Sequence, residues 1–228
     1  MGEATSDFFV YSINRYLAVI AGFIVFCFAL WLQLRARRYH APVYWFAVTM
    51  VAVFGTMVAD SIHIVLGVPY QFSSAGFAVI LAVVLIAWYR SEHTLSIHSI
   101  YTRRRELFYW ATVLSTFALG TAAGDMTAYS LHLGYLVSGL LFTALFLVPG
   151  ILWFGAGLNE IAAFWAAYIL TRPLGASFAD LFGMSKSVGG LGYGHGPVAI
   201  ILTIAIAIVV GYLTATRLDV PRESTQRR

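Results

Sequence analysis

The chain has 228 residues, of which 60% are apolar and 11% charged, and its net charge is +4. A soluble domain is about half apolar and about a quarter charged, and 14 basic and 10 acidic side chains cannot cover a globule of this size, so a water-soluble fold is excluded. At about 20 residues per membrane crossing the length accommodates about seven or eight spanning helices and no separate soluble domain.

Seven apolar segments follow in chain order, at residues 16–34, 43–66, 73–89, 108–131, 135–154, 161–182 and 198–213. They predict an all-α integral membrane protein with a single polytopic domain over residues 1–215 and a basic tail over 216–228. The first segment reads as a retained span and not as a cleaved leader, because no basic stretch precedes it and Arg35, Arg37 and Arg38 follow it. Placing the loop after it in the cytoplasm puts Arg35, Arg37, Arg38, Arg90, Arg103, Arg104, Arg105, Arg217, Arg222, Arg227 and Arg228 on that side. Only Arg15, Arg172 and Lys186 fall elsewhere, so the positive-inside rule predicts an outside N-terminus and a cytoplasmic C-terminus. The same topology accounts for the positive charge without a nucleic-acid partner. The lone Cys27 permits neither an intramolecular disulfide nor a cysteine metal cluster. Met1-Gly2 with Ser6 fits a loose myristoylation pattern that would add nothing to a seven-span protein. The glycine run from 189 to 196 follows no strand and reads as an outer loop, not a phosphate cradle.

Three segments align without a gap: WFAVTMVAVFGTMVAD at 45–60, WATVLSTFALGTAAGD at 110–125 and WAAYILTRPLGASFAD at 165–180. Each carries an aromatic residue before the Trp, then Gly, a small residue and Asp at fixed spacing. Each is followed by a Leu-Gly pair (Leu66-Gly67, Leu133-Gly134, Leu191-Gly192) and a second apolar span. The unit reads as a helical hairpin, giving repeats at 39–105, 106–157 and 158–215. Gly2 to Asp7 repeats the Gly-x3-small-Asp ending, so residues 1–38 form a partial copy whose Trp-bearing helix would lie before Met1. Four of the five aspartates thus occupy one motif position.

These hairpins, with the stretches TLSIHSIYTRRRE (94–106), FALGTAAGD (117–125) and ILTRPLGASFAD (169–180), resemble a bacterial family of membrane-anchored proteins built from tandem two-helix repeats of unknown function, each with a characteristic Trp. The resemblance implies the fold and a bacterial inner-membrane location. It implies no activity.

On a helix, Trp and Asp at this spacing lie about 22 Å apart along the axis and about 60° apart around it. Trp45, Trp110 and Trp165 are the repeat signature and are expected in an interfacial aromatic belt. Gly55, Gly120, Gly124 and Gly175 are expected to let helix backbones approach closely. Asp60, Asp125 and Asp180, with Asp7 from the partial copy, are the candidate functional residues. A carboxylate below the headgroups costs about 2.5–3.5 kcal/mol at the bilayer centre unless paired, hydrated or protonated, and parallel repeats can bring equivalent acids together near one axis. Locking the hairpins by capping or hydrogen bonds is the competing structural role. Arg172, where the sister helices carry Ala52 and Phe117, is expected to ion-pair or hydrogen-bond with a neighbouring helix, or to contact an anion or substrate, and so to tune the site.

His63, one turn beyond Asp60, and His132 are the weak candidates for a metal or haem. No lysine lies in a span for a retinal, and hydrolase, zinc-protease, thiol-redox and ATPase signatures are missing, so no cofactor is indicated and an enzyme is disfavoured. The expectation is a transporter or channel for a cation, proton-coupled solute or other small solute. The alternatives are a redox subunit using His63 and His132, and a scaffold whose basic loop at 90–105 contacts a partner or anionic lipid.

Overall fold

A computed structural model describes residues 1–36 and 38–218; Arg37, Arg222, Arg227, Arg228 and the tail from 219 lie outside the described residues. Eight α-helices follow one another: α1 (Gly2–Ser12), α2 (Arg15–Arg35), α3 (Ala41–Ile64), α4 (Tyr70–Glu92), α5 (Arg103–Asp125), α6 (Gly134–Ala156), α7 (Glu160–Gly183) and α8 (His195–Thr216). There is no strand among the described residues. Every predicted span coincides with one of the seven long helices, and the partial motif at Gly2 to Asp7 forms the short α1.

Local chemistry sets the boundaries. The Asn14, Thr102 and Asn159 side chains accept backbone N–H groups at the starts of α2, α5 and α7. The repeated Leu-Gly pairs end the other way: Gly67, Gly134 and Gly192 all have φ between +66° and +81°, a left-handed backbone that only glycine adopts freely. After Asp125, α5 continues as a π turn over Met126–Ser130.

Six helices, α2 to α6 and α8, are long and apolar enough to cross a membrane. The seventh long helix, α7, is less apolar than its predicted role as a lipid-facing span requires. It carries Arg172, Pro173 and Asp180 and packs against α5, α6, α1 and α8, so protein replaces lipid over much of its surface. The outer faces of α2, α4, α6 and α8 expose Leu17, Ile24, Val79, Val83, Leu140, Ile151, Ile201 and Ile208. Such a broad apolar surface suits hydrocarbon and not water. The chain is a multi-pass membrane protein.

The helices form two shells. The motif-bearing helices α1, α3, α5 and α7 contact one another in ring order, and α1 touches both α3 and α7 to close the ring. The outer helices do not pack chiefly on their own repeat. Instead α2 packs most extensively on α3, α4 on α5, α6 on α7 and α8 on α1. The hairpin expected from the sequence is therefore one of connection and not of packing. Because each outer helix spans the seam between consecutive inner helices, the ring is interlocked.

Candidate functional site

Aligning the four motifs places equivalent residues at common levels of the inner ring. Gly2, Gly55, Gly120 and Gly175 form one level; the next residues, Glu3, Thr56, Thr121 and Ala176, form a second; one turn beyond lie Asp7, Asp60, Asp125 and Asp180. The glycine level shows how close the helices come. A Cβ at Gly2 would stand 2.6 Å from Ala52, one at Gly55 2.6 Å from Phe117, and one at Gly120 would collide with Arg172. The close approach expected of Gly55 and Gly120 is met. Gly124 is in ordinary contact with Ala176, and Gly175 meets nothing within 4 Å and is exposed, so close packing does not explain that glycine.

Glu3 sits where two sister helices carry threonines, and both hydroxyls reach it: Thr121 donates to Glu3 Oε2 at 2.8 Å and Thr56 at 3.1 Å. One turn further, carboxylate oxygens of Glu3, Asp7 and Asp60 lie within 4.8 Å of one another. Glu3, Asp7, Asp125 and Asp180 are each at most 8% exposed, and Asp60 is half-buried. His195 Nδ1 lies 3.2 Å from Asp7 Oδ2 without a hydrogen bond. Asp180 Oδ1 has no hydrogen-bond partner. Asp7 and Asp60 are thus gathered with Glu3, while Asp125 and Asp180 are buried at the equivalent positions of α5 and α7, Asp180 in electrostatic reach of Glu3, Asp125, Asp7 and Asp60.

Tyrosines wall the far end of this cluster. Tyr70 stacks on His63 with ring centroids 3.6 Å apart and faces Tyr129 at 6.1 Å, and the Tyr129 and Tyr135 hydroxyls bond each other. His63 is also 2.9 Å from the Val68 carbonyl oxygen, and His132 is exposed in a left-handed turn. Among the described residues, neither joins a group of potential metal ligands; that group is Glu3, Asp7 and Asp60.

Arg172 corrects its expected role in an ion pair. No carboxylate pairs with it among the described residues; its guanidinium lies 3.6 Å from the Phe117 ring centre and 4.4 Å from that of Tyr168, and its buried Nε has no partner. The flat, weakly hydrated guanidinium satisfies itself against π faces, which an ammonium does less well. Arg172 borders a cavity of about 110 Å³ with Glu3, Thr56, Thr121 and Thr171, on the side of Glu3 away from the aspartates. A second, apolar cavity of about 330 Å³ between α1, α2 and α3 reaches Asp60.

The tryptophans are corrected too. Trp110 and Trp165 are 4% exposed, packed with Trp88 and Tyr109 in the largest core cluster, and Trp165 Nε1 donates to the Leu95 carbonyl at 2.9 Å. Trp45 is half-buried against Tyr44. They face the bundle interior and not the lipid, because the inner helices carrying them are covered by the outer shell.

Sequence reasoning missed Glu3 and His195. Glu3 was detectable, since it occupies the motif position held by Thr56, Thr121 and Ala176. His195 starts α8 and reaches Asp7 only because α8 crosses to pack on α1, which no local pattern encodes.

Residues 43–94, 108–158 and 163–219 match, as three tandem copies, the model of a family described as Repeat of Unknown Function (DUF347). No curated protein matches the chain, and no solved structure does.

Proposed function

We propose, for a chain that belongs to the family described as Repeat of Unknown Function (DUF347), that it carries a small cation, or a solute together with protons, across a bacterial inner membrane. In this reading α7 crosses as a seventh span, with the N-terminus outside and the C-terminus in the cytoplasm. The observation that carries the reading is the buried carboxylate cluster of Glu3, Asp7 and Asp60, joined by Asp125 and Asp180 inside one ring of helices.

Burying several carboxylates is costly unless positive charge offsets them. The single motif is repeated on four helices, so the cost is incurred four times at one level. Few protein cations are near: Arg172 is held against aromatic rings, His195 lies beside Asp7, and the Met1 ammonium shares the cavity beside Glu3. Mobile cations or protons supply the rest. Cavities lie on both sides of the cluster, one reaching Asp60 and the other bordering Glu3. A cation admitted at Asp60 is held by the acids, then passes Glu3 into the Arg172 cavity, where the guanidinium opposes its advance electrostatically. Movement of Arg172 between its aromatic seat and Glu3 would relieve that barrier.

The test is flux into proteoliposomes, read with cation- and proton-sensitive dyes. Asp60→Asn and Asp180→Asn, which keep side-chain volume and remove charge, are expected to lower flux at least tenfold with helicity and melting temperature retained. Wild-type flux in both folded variants, or no cation or proton flux in the wild type, overturns the reading.

A further inference from the structure

We infer that Glu3, Asp7 and Asp60 bind one hard divalent cation of the Mg²⁺, Mn²⁺ or Ca²⁺ class, with Asp180 reaching it through bound water. The binding claim stands on its own geometry; only the idea that the ion is cargo rests on the transport reading above.

The three ligand oxygens lie within 4.8 Å of one another. Two oxygens bound to one such cation at about 2.0–2.6 Å are at most about 4–5 Å apart, so all three can touch the same ion with little movement. The second observation is independent of the triad. Asp180 is 3% exposed, its Oδ1 has no donor, and it lies within electrostatic reach of Glu3, Asp7 and Asp60. Buried polar atoms are almost always satisfied, and a buried carboxylate oxygen without a donor, near three other carboxylates, is satisfied by a cation or its bound water.

The donor set selects the kind of ion. Every candidate ligand is a carboxylate, and hydroxyls of Thr56 and Thr121 fix Glu3 from behind. Hard oxygen donors favour Mg²⁺, Mn²⁺ or Ca²⁺ over the softer cations that prefer thiolate or imidazole. Charge selects the valence, since a monovalent ion would leave three carboxylates with most of their repulsion. Glu3 is what converts a repeat into a chelate: two sister helices hold a threonine and the third Ala176 at that level, so the quasi-symmetric ring has one carboxylate there, beside Asp7 and Asp60. His195 Nδ1 lies 3.2 Å from Asp7 Oδ2 on the side of α8, without a hydrogen bond.

The experiment titrates the purified full chain in nanodiscs with Mn²⁺, following loss of the free-ion electron paramagnetic resonance signal, with competition by Mg²⁺, Ca²⁺ and K⁺. Glu3→Gln and Asp60→Asn are each expected to weaken Mn²⁺ binding at least tenfold. Glu3→Asp, which keeps the charge but withdraws the oxygen by one methylene, should also weaken it in a folded protein. Glu106→Gln, whose carboxylate is bonded by Gln33 at the opposite end of the bundle, should bind as the wild type does. Mg²⁺ or Ca²⁺ should displace the ion, and K⁺ should not. No Mn²⁺ binding by the wild type, unchanged binding in folded Glu3→Gln and Asp60→Asn, or displacement by K⁺ overturns the inference. Monovalent or proton flux without divalent binding refutes the chelate and leaves the transport reading standing. Divalent binding without any flux does the reverse.

Discussion

At the Trp end of the inner helices, Trp88, Tyr109, Trp110 and Trp165 pack into one buried aromatic cluster, with the Tyr44 and Tyr109 hydroxyls 2.6 Å apart at its edge. At the Asp end, about four turns away on the same helices, carboxylate oxygens of Glu3, Asp7 and Asp60 lie within 4.8 Å of one another, and Asp125 and Asp180 are buried at the same motif position. One repeat encodes both ends. The aromatic end gains from burial and from edge-to-face ring contacts such as that of Trp88 with Trp165, whereas the polar end spends part of that gain. The comparison teaches that the packed end supplies the stability that allows an unfavourable charge cluster to persist at the other, as expected where a fold carries a binding site.

The comparison breaks if the ends respond alike to mutation. The largest expected effect is at the aromatic end: Trp165→Ala should cost about 3–5 kcal/mol, the range for emptying a buried large aromatic site, and lower the melting temperature in a thermal-shift assay. Flux per folded molecule should be unchanged. Equal losses of stability for Trp165→Ala and Asp180→Asn would erase the distinction between the ends.

A smaller effect sharpens it within the glycine level. A methyl group at Gly120 meets Arg172 and the α7 backbone, so Gly120→Ala should cost about 1–3 kcal/mol through overpacking. Gly175→Ala, with open space around it, should stay within about 0.5 kcal/mol of wild type. Chemical denaturation of the two variants side by side measures the difference, and equal costs would refute the asymmetry of the ring. At the edge of the aromatic cluster, Tyr44→Phe removes the hydroxyl contact with Tyr109 and should cost about 0.5–1.5 kcal/mol in the same denaturation experiment.

Much of this architecture was legible in the sequence because it is periodic. The helices follow from hydropathy, and the nearness of Asp7 and Asp60 accords with their common motif position. The segment predicted at 161–182 is the helix α7, which is less apolar than the six others and is packed against α5, α6, α1 and α8. The same enclosure turned Trp110 and Trp165 inward, away from an interfacial belt.

By itself the sequence determined the local and repeated features: which segments are helical, where they turn, and which residues share a level. A helix's own residues encode those properties through hydrogen bonding, capping and periodic apolarity. Only the tertiary structure decided that each outer helix packs on the next inner helix and that α8 returns to α1, bringing His195 to Asp7. It also decided that Glu3 receives Thr56 and Thr121 from two other helices. Those contacts join residues from opposite ends of the chain, and they depend on how whole helix surfaces fit together, which no single segment contains.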